Sequence, residues 1–130
     1  MDVAGLARQW ASVWERAWAA KDVDAIVALY ADDAQYRALV LREPERGVAG
    51  VRDYLERNFA IEHDIECRFG APIAEGDRAA VEWWATYREE GQLLTLAGAT
   101  FLRFDDAGLV IDHRDYWNQV ERREPPFNGW

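Results

Sequence analysis

The sequence predicts an α+β fold, with three N-terminal helices packed on a curved, mostly antiparallel sheet. Two observations carry that expectation. Apolar residues recur at helical spacing through residues 3–30 and again through 48–59. From residue 63 onward the pattern changes to period two, broken only where Gly, Pro and Asp supply turn chemistry. Helices segregated from strands in this way belong to the α+β class. Helices that do not fill the concave side of such a sheet leave a pocket.

Residues 3–20 place Leu6, Trp10, Val13, Trp14, Ala17 and Trp18 on one broad face. Trp10, Trp14 and Trp18 follow four apart and so stack along it. Asp22 is an N-cap for a second helix, with Ile26, Leu29 and Tyr30 on its apolar side. "ADDA" at 31–34 ends that helix, and the alternating "AQYRALVL" (34–41) reads as a strand. The polar loop "REPERG" (42–47) leads into a third helix marked by Val48, Val51, Leu55 and Phe59. "HDIECRFG", "RAAVEWWATYREE", "QLLTLAGATFLRF" and "GLVIDHRDYWNQ" form a four-stranded meander. Pro125 and Pro126 keep "EPPFNGW" out of helix and central strand. One domain is expected over 1–130, with a core of 1–121 and a C-terminal tail of 122–130.

The chain carries 24 acids against 15 bases, a formal net charge of -9. Such a surface repels nucleic acid and anionic membranes, so neither is expected as a partner. The densest basic spot, Arg122-Arg123, is flanked by Glu121 and Glu124. A lone cysteine, Cys67, rules out an internal disulfide framework and fits a reducing compartment. The N-terminal stretch has no basic n-region and carries charges throughout, so a cytoplasmic location is expected. No Gly-rich phosphate loop, nucleotide fingerprint or nucleophile elbow is present, and no cofactor is expected.

The candidate chemistry lies in "DHRDYWNQ" (112–119). On a strand, Ile111, His113, Asp115 and Trp117 share one face. That face offers an acid and an imidazole between an aliphatic residue and an indole. An acid set in apolar walls suits proton transfer. Alternatively, a neighbouring donor simply holds it in place. Together with His63, the pair would still fall short of a metal ligand set fixed by spacing, so no metal is expected. Cys67 has no basic neighbour at motif spacing and reads as a half-buried strand residue.

Three stretches together resemble the nuclear-transport-factor-2-like cone fold, and within it the SnoaL-like group. They are "AAKDVDAIVALYADDAQY", "RGVAGVRDYL" and "HRDYWN". The resemblance spans roughly residues 5–120 and implies a cone-shaped barrel with an internal pocket. Ketosteroid isomerases of this fold place a catalytic Asp at the position of Ala38, and oxyanion donors at those of Trp14 and Thr100, so their proton shuttle is lost here. Limonene-type epoxide hydrolases match at Asp115 and Tyr36, but their Arg, Asp and Asn fall on Trp83, Ala85 and Ala38. SnoaL-like polyketide cyclases need only an acid/base in an apolar pocket.

The resemblance turns Asp115 inward, and period two then supplies the lining. The ligand-contacting residues expected are Trp14, Trp18, Tyr30, Val40, Trp83, Tyr87, Leu96, Thr100 and Trp117. Asp115 is the expected acid/base, His113 its partner and Tyr36 a hydrogen-bond donor. The expected function is binding of a small hydrophobic molecule in an aromatic pocket, with proton-transfer chemistry of the cyclase, isomerase or hydrolase kind. The alternative is a non-catalytic ligand-binding or structural dimeric domain. Leu39, Leu41 and Trp84 fall on the outer sheet face, where apolar residues suggest a homodimer. Phe127 and Trp130 either cover that face or the pocket mouth, or belong to a disordered tail.

Overall fold

A computed structural model describes the chain from Met1 to Trp130. Helix α1 (Val3–Ala20) starts where the Asp2 carboxylate accepts the Gly5 N–H at 2.9 Å, and it ends at Lys21 in the left-handed conformation. Its buried face carries Trp10, Trp14, Ala17 and Trp18. Asp22 caps the short α2 (Val23–Val27) through the Ala25 N–H. After β1 (Tyr30–Arg37) and β2 (Glu45–Arg46) comes α3 (Gly47–Phe59), which buries Val51, Leu55 and Phe59.

The remaining strands are β3 (Glu62–Phe69), β4 (Ile73–Glu75), β5 (Arg78–Glu89), β6 (Gln92–Phe104) and β7 (Val110–Val120). They form one sheet in the order β2-β1-β7-β6-β5-β3, with β4 beside β5. Only β1 and β7 run parallel. The long β5–β6 hairpin turns through Glu90 and Gly91, both at positive φ, as a two-residue connection requires. Helix α1 packs on β3 and β5, and α3 packs on β1, so one sheet face and the helices enclose the core. No helix is long and apolar enough to cross a membrane.

Three local departures from simple periodicity relocate expected residues. The strand expected at 34–41 is β1, which begins at Tyr30 and stops at Arg37. Gln35 and Tyr36 pair with Arg46 and Glu45, so the chain must reverse between them, and residues 38–44 become the connecting loop. Leu29 and Tyr30 thus lie beyond α2 instead of on its apolar side. Val40 falls in the loop and not on an inward strand face. Leu39 and Leu41 also lie there, and Leu41 is almost wholly exposed. In β7 a register shift between Arg103 and Phe104 pairs Phe104 with Val110, so Val110 is buried where Ile111 was expected inward.

The tail is folded onto the outer face of the sheet. Trp84 Nε1 donates to the Glu124 carbonyl at 2.7 Å, and Phe127 and Trp130 pack edge-on against the Trp84 ring. Thr95 donates to the Arg122 carbonyl and accepts the Glu124 N–H. Arg68 lies over the Trp130 ring at 5.1 Å. Trp84 is therefore covered from within the chain. Leu39, Leu41 and Trp84 do not form one outer-face patch.

Gly98 of β6 faces Trp117 of β7 across the sheet. A Cβ there would run into the Tyr116 carbonyl and lie 2.7 Å from the Trp117 Cβ. The glycine thus permits a close strand approach where the Trp117 indole reaches the cavity side of the sheet. Gly98→Ala is expected to cost about 1–3 kcal/mol through overpacking, read as a lower midpoint in urea unfolding, with the near-UV signal of Trp117 altered.

Candidate active site

A cavity of about 360 Å³ lies between the helices and the concave sheet face, within the usual size of small-molecule sites. Its walls come from α1 (Trp10, Trp14, Trp18), β1 (Tyr36), α3 (Tyr54, Leu55), β5 (Trp83, Tyr87), β6 (Leu96, Thr100) and β7 (His113, Asp115, Trp117).

The centre of the site is a continuous chain of buried hydrogen bonds. The Trp10 and Trp14 indoles donate to the Tyr30 hydroxyl oxygen at 3.1 and 3.2 Å. Indole N–H groups can only donate, so both lone pairs of that oxygen are taken. The Tyr30 O–H must then donate to its remaining partner, His113 Nδ1, at 2.8 Å. This fixes His113 as the tautomer with its proton on Nε2, which donates to Asp115 Oδ1 at 2.8 Å. The Thr100 hydroxyl, which accepts from Trp83 Nε1 at 2.9 Å, donates to the same Oδ1 at 2.6 Å. Asp115 Oδ1 is saturated. Oδ2 takes no hydrogen bond from the protein and is open to the cavity.

Burial pushes the Tyr30 hydroxyl well above the ordinary tyrosine range, the two indole hydrogen bonds opposing it in part, so it stays a donor. Burial does the same to Tyr36, whose ring stacks on His113 at 3.8 Å and 23°. The imidazole is thereby clamped at its face as well as at both nitrogens.

A second acid faces the cavity. Glu62 opens β3, is 6% exposed, and accepts the Trp18 N–H on Oε1 at 2.8 Å. Burial raises its carboxyl to about 7, against the lowering effect of the Trp18 hydrogen bond, with neighbouring Glu89 adding to the rise. From Glu62 a run of contacts passes through Trp18 and Trp83, whose rings lie 5.9 Å apart, to Thr100 and Asp115. The two acids therefore stand at opposite ends of an indole wall.

Of the residues expected from sequence, Trp14, Trp18, Tyr36, Trp83, Tyr87, Leu96, Thr100, His113, Asp115 and Trp117 line the cavity. Val40 does not, for the loop reason above. Tyr30 does not line it either; its hydroxyl is consumed beneath the wall by Trp10, Trp14 and His113. Leu39, expected outside, reaches the cavity mouth. His63 is exposed while His113 is 2% exposed, so the two imidazoles are not brought together. Cys67 is half-buried, its thiol pushed up to about 12 by burial.

Glu62 was not legible because of a bulge. Counting by two from Ile65, Cys67 and Phe69 turns His63 inward and Glu62 outward. Asp64 adopts positive φ and the β3–β5 register shifts between His63 and Glu66, which reverses the phase. Trp10 was expected in the core alone and also reaches the cavity.

The profile of the SnoaL-like domain family matches residues 8–113. A cyclase, aurE, from Calcarisporium arbuscula is 22% identical over 102 residues, covering 75% of each chain. Among solved structures, a hypothetical protein of ketosteroid isomerase-like fold from Catenulispora acidiphila, in complex with trimethylamine, superposes with a TM-score of 0.73 at 19% identity. That likeness covers 82% of this chain and 83% of the other. The epoxide hydrolase/cyclase-like enzyme SalBIII, associated with pyran ring formation in salinomycin, gives a TM-score of 0.73 at 20% identity. It covers 85% of this chain and 89% of its own.

Two outcomes follow from the hydrogen bonding. Tyr30→Phe strips a partner from Trp10, Trp14 and His113 together, and the unmet buried groups should cost at least about 2 kcal/mol, measurable by denaturant unfolding. Glu62 is neutral in the fold up to about 7, whereas the unfolded chain ionises it from its ordinary value of 4.5. Stability present at pH 5 is therefore lost as pH rises through 7, by up to roughly 3 kcal/mol. Glu62→Gln should match the wild type at pH 5 and exceed it at pH 8, as read by thermal melting at both pH values.

Proposed function

This chain belongs to the SnoaL-like family, and we propose that it binds a small, largely apolar molecule in the aromatic cavity and moves a proton on it with Asp115 as acid/base. The observation that carries this reading is the division of labour on the Asp115 carboxylate. Oδ1 is held by His113 and Thr100, and Oδ2 is left facing the cavity. The open oxygen keeps its lone pairs for a bound molecule, while the held one fixes the carboxylate plane.

Oδ2 takes a proton from an acidic C–H or O–H of the substrate and becomes the carboxylic acid. It then returns that proton to a different atom of the same molecule. The net change is an isomerisation or ring closure, with protons and electrons conserved and no co-reactant required. His113 is a positioning residue: its Nε2–H orients the carboxylate and its Nδ1 is tied to Tyr30. The Tyr36 hydroxyl has no partner in the protein and is available to a substrate oxygen. Trp14, Trp83 and Trp117 are apolar walls that exclude water and hold the substrate in register. Similarity to a cyclase supports the reaction class. The complex of the Catenulispora protein with trimethylamine supports a small organic ligand.

The test is a thermal-shift screen of wild type and Asp115→Asn against small ketones, lactones, epoxides and aromatic polyketide mimics, followed by turnover assays on the hits. The amide keeps an acceptor for His113 and Thr100, so the variant should fold. Turnover of a hit should fall by roughly 10²–10⁴-fold in Asp115→Asn, the usual contribution of a positioned acid/base. Undiminished turnover in the variant would contradict the assignment, and equal stabilisation of both proteins without turnover would favour a simple binder.

A further inference from the structure

We propose that the ligand of this cavity carries a cationic nitrogen, seated at the Glu62 end against the rings of Trp18 and Tyr87. This rests on the reading of the cavity as a small-molecule site and names the chemistry of what enters it.

The walls have no indole donors left to offer. Trp10 and Trp14 give their N–H to Tyr30, Trp18 to Glu62, Trp83 to Thr100 and Trp117 to the Ala38 carbonyl. What these side chains present to a ligand is ring surface, whose negative face attracts cations. The ionisable acids on the wall are Asp115, Glu62 and Glu89. The cation among the lining residues is Arg57, more than half exposed and already paired with Asp53 at 3.1 Å and Glu45 at 3.2 Å. Glu62 itself is nearly buried, with Oε1 taken by Trp18 and Oε2 free of any protein hydrogen bond. The enclosed space is thus rich in acceptors and aromatic rings, which suits an ammonium group. The path from Glu62 through Trp18 and Trp83 to Asp115 then sets the nitrogen at one end of the ligand and the reacting atom at the other.

The surroundings of Glu62 also give a pH signature. Lys21 follows α1, Tyr54 comes from α3, Tyr36 from β1, and Tyr87 and Glu89 from β5, while Arg57 of α3 and Asp115 of β7 line the same cavity. Lys21 favours the ionised acid and Glu89 opposes it. A permanent cation binding beside a carboxyl that titrates near 7 displaces its proton, so affinity rises with pH.

The experiment titrates the full chain with phenyltrimethylammonium and with tert-butylbenzene, which differ by N⁺ for C, following tryptophan fluorescence. Wild type is expected to bind the cation at least about tenfold more tightly than its neutral isostere at pH 8. The cation's affinity should weaken about tenfold on going to pH 6, as Glu62 takes up its proton. In Glu62→Gln, which keeps an acceptor for Trp18, the pH dependence should vanish and the preference should fall severalfold, to what the ring faces alone supply. Its melting curve confirms that the variant is folded. Equal affinity for the two probes overturns the cationic ligand and leaves the cavity reading standing. A preference for the cation that is undiminished in Glu62→Gln overturns the seat at Glu62. Binding of neither probe overturns this proposal and counts against the cavity reading as well.

Discussion

The saturated oxygen of Tyr30 is the constraint on which the site depends. Two indole donors occupy its lone pairs, and the hydroxyl proton has one remaining destination, His113 Nδ1. From that restriction follow the tautomer of His113 and the direction of its hydrogen bond to Asp115, while Thr100, held by Trp83, adds a second donor on the same Oδ1. The same hydroxyl ties α1 to β1 and β7, so the packing of the fold and the wall of the cavity share one atom. Buried polar networks of this kind are stabilising when their members are satisfied, and here Tyr30, His113 and Thr100 all have partners, while Asp115 Oδ2 is left to the cavity.

Much of the fold was legible because it rests on local periodicity. The four-residue spacing of Trp10, Trp14 and Trp18 gave α1, and Asp22 gave the start of α2. The alternation of "RAAVEWWATYREE" and "QLLTLAGATFLRF" gave the long hairpin and its inward residues. Alternation put His113 and Asp115 on one face of β7, and the resemblance to the SnoaL-like group, not the alternation, turned that face inward. What escaped depends on pairings between distant segments. The return of the chain to pair β2 with β1 converted Val40 and Leu41 from strand to loop. The bulges at Asp64 and Ile111 reversed the phase of two strands, hiding Glu62 and misplacing Ile111. A bulge has no periodic signature of its own.

Tyr30 illustrates a different limit. Its burial was expected, but its role comes from meeting Trp10, Trp14 and His113, which are 16 to 83 positions away in the chain. No spacing rule reports such a junction. The tail gives a parallel case on the outside of the sheet. Pro125 and Pro126 excluded regular structure, yet the carbonyls of Arg122 and Glu124 and the rings of Phe127 and Trp130 cover Thr95 and Trp84. An apolar residue on an outer sheet face thus finds its cover within the same chain. In the interior, the indoles play two parts at once: their N–H groups secure Tyr30, Glu62 and Thr100, while their rings bound the cavity.

The most direct test of this account is nitrogen NMR of the protein labelled with ¹⁵N at its histidine rings, recorded at pH 7.5. The chain has two histidines, so His63→Gln assigns the signals. The expected result is a neutral His113 with its proton on Nε2 and an unprotonated Nδ1 whose shift reports a hydrogen bond accepted from Tyr30. A proton on Nδ1 would contradict the account: Tyr30 would no longer direct His113, and in the opposite tautomer Asp115 would also lose its Nε2–H donor, which an imidazolium would keep.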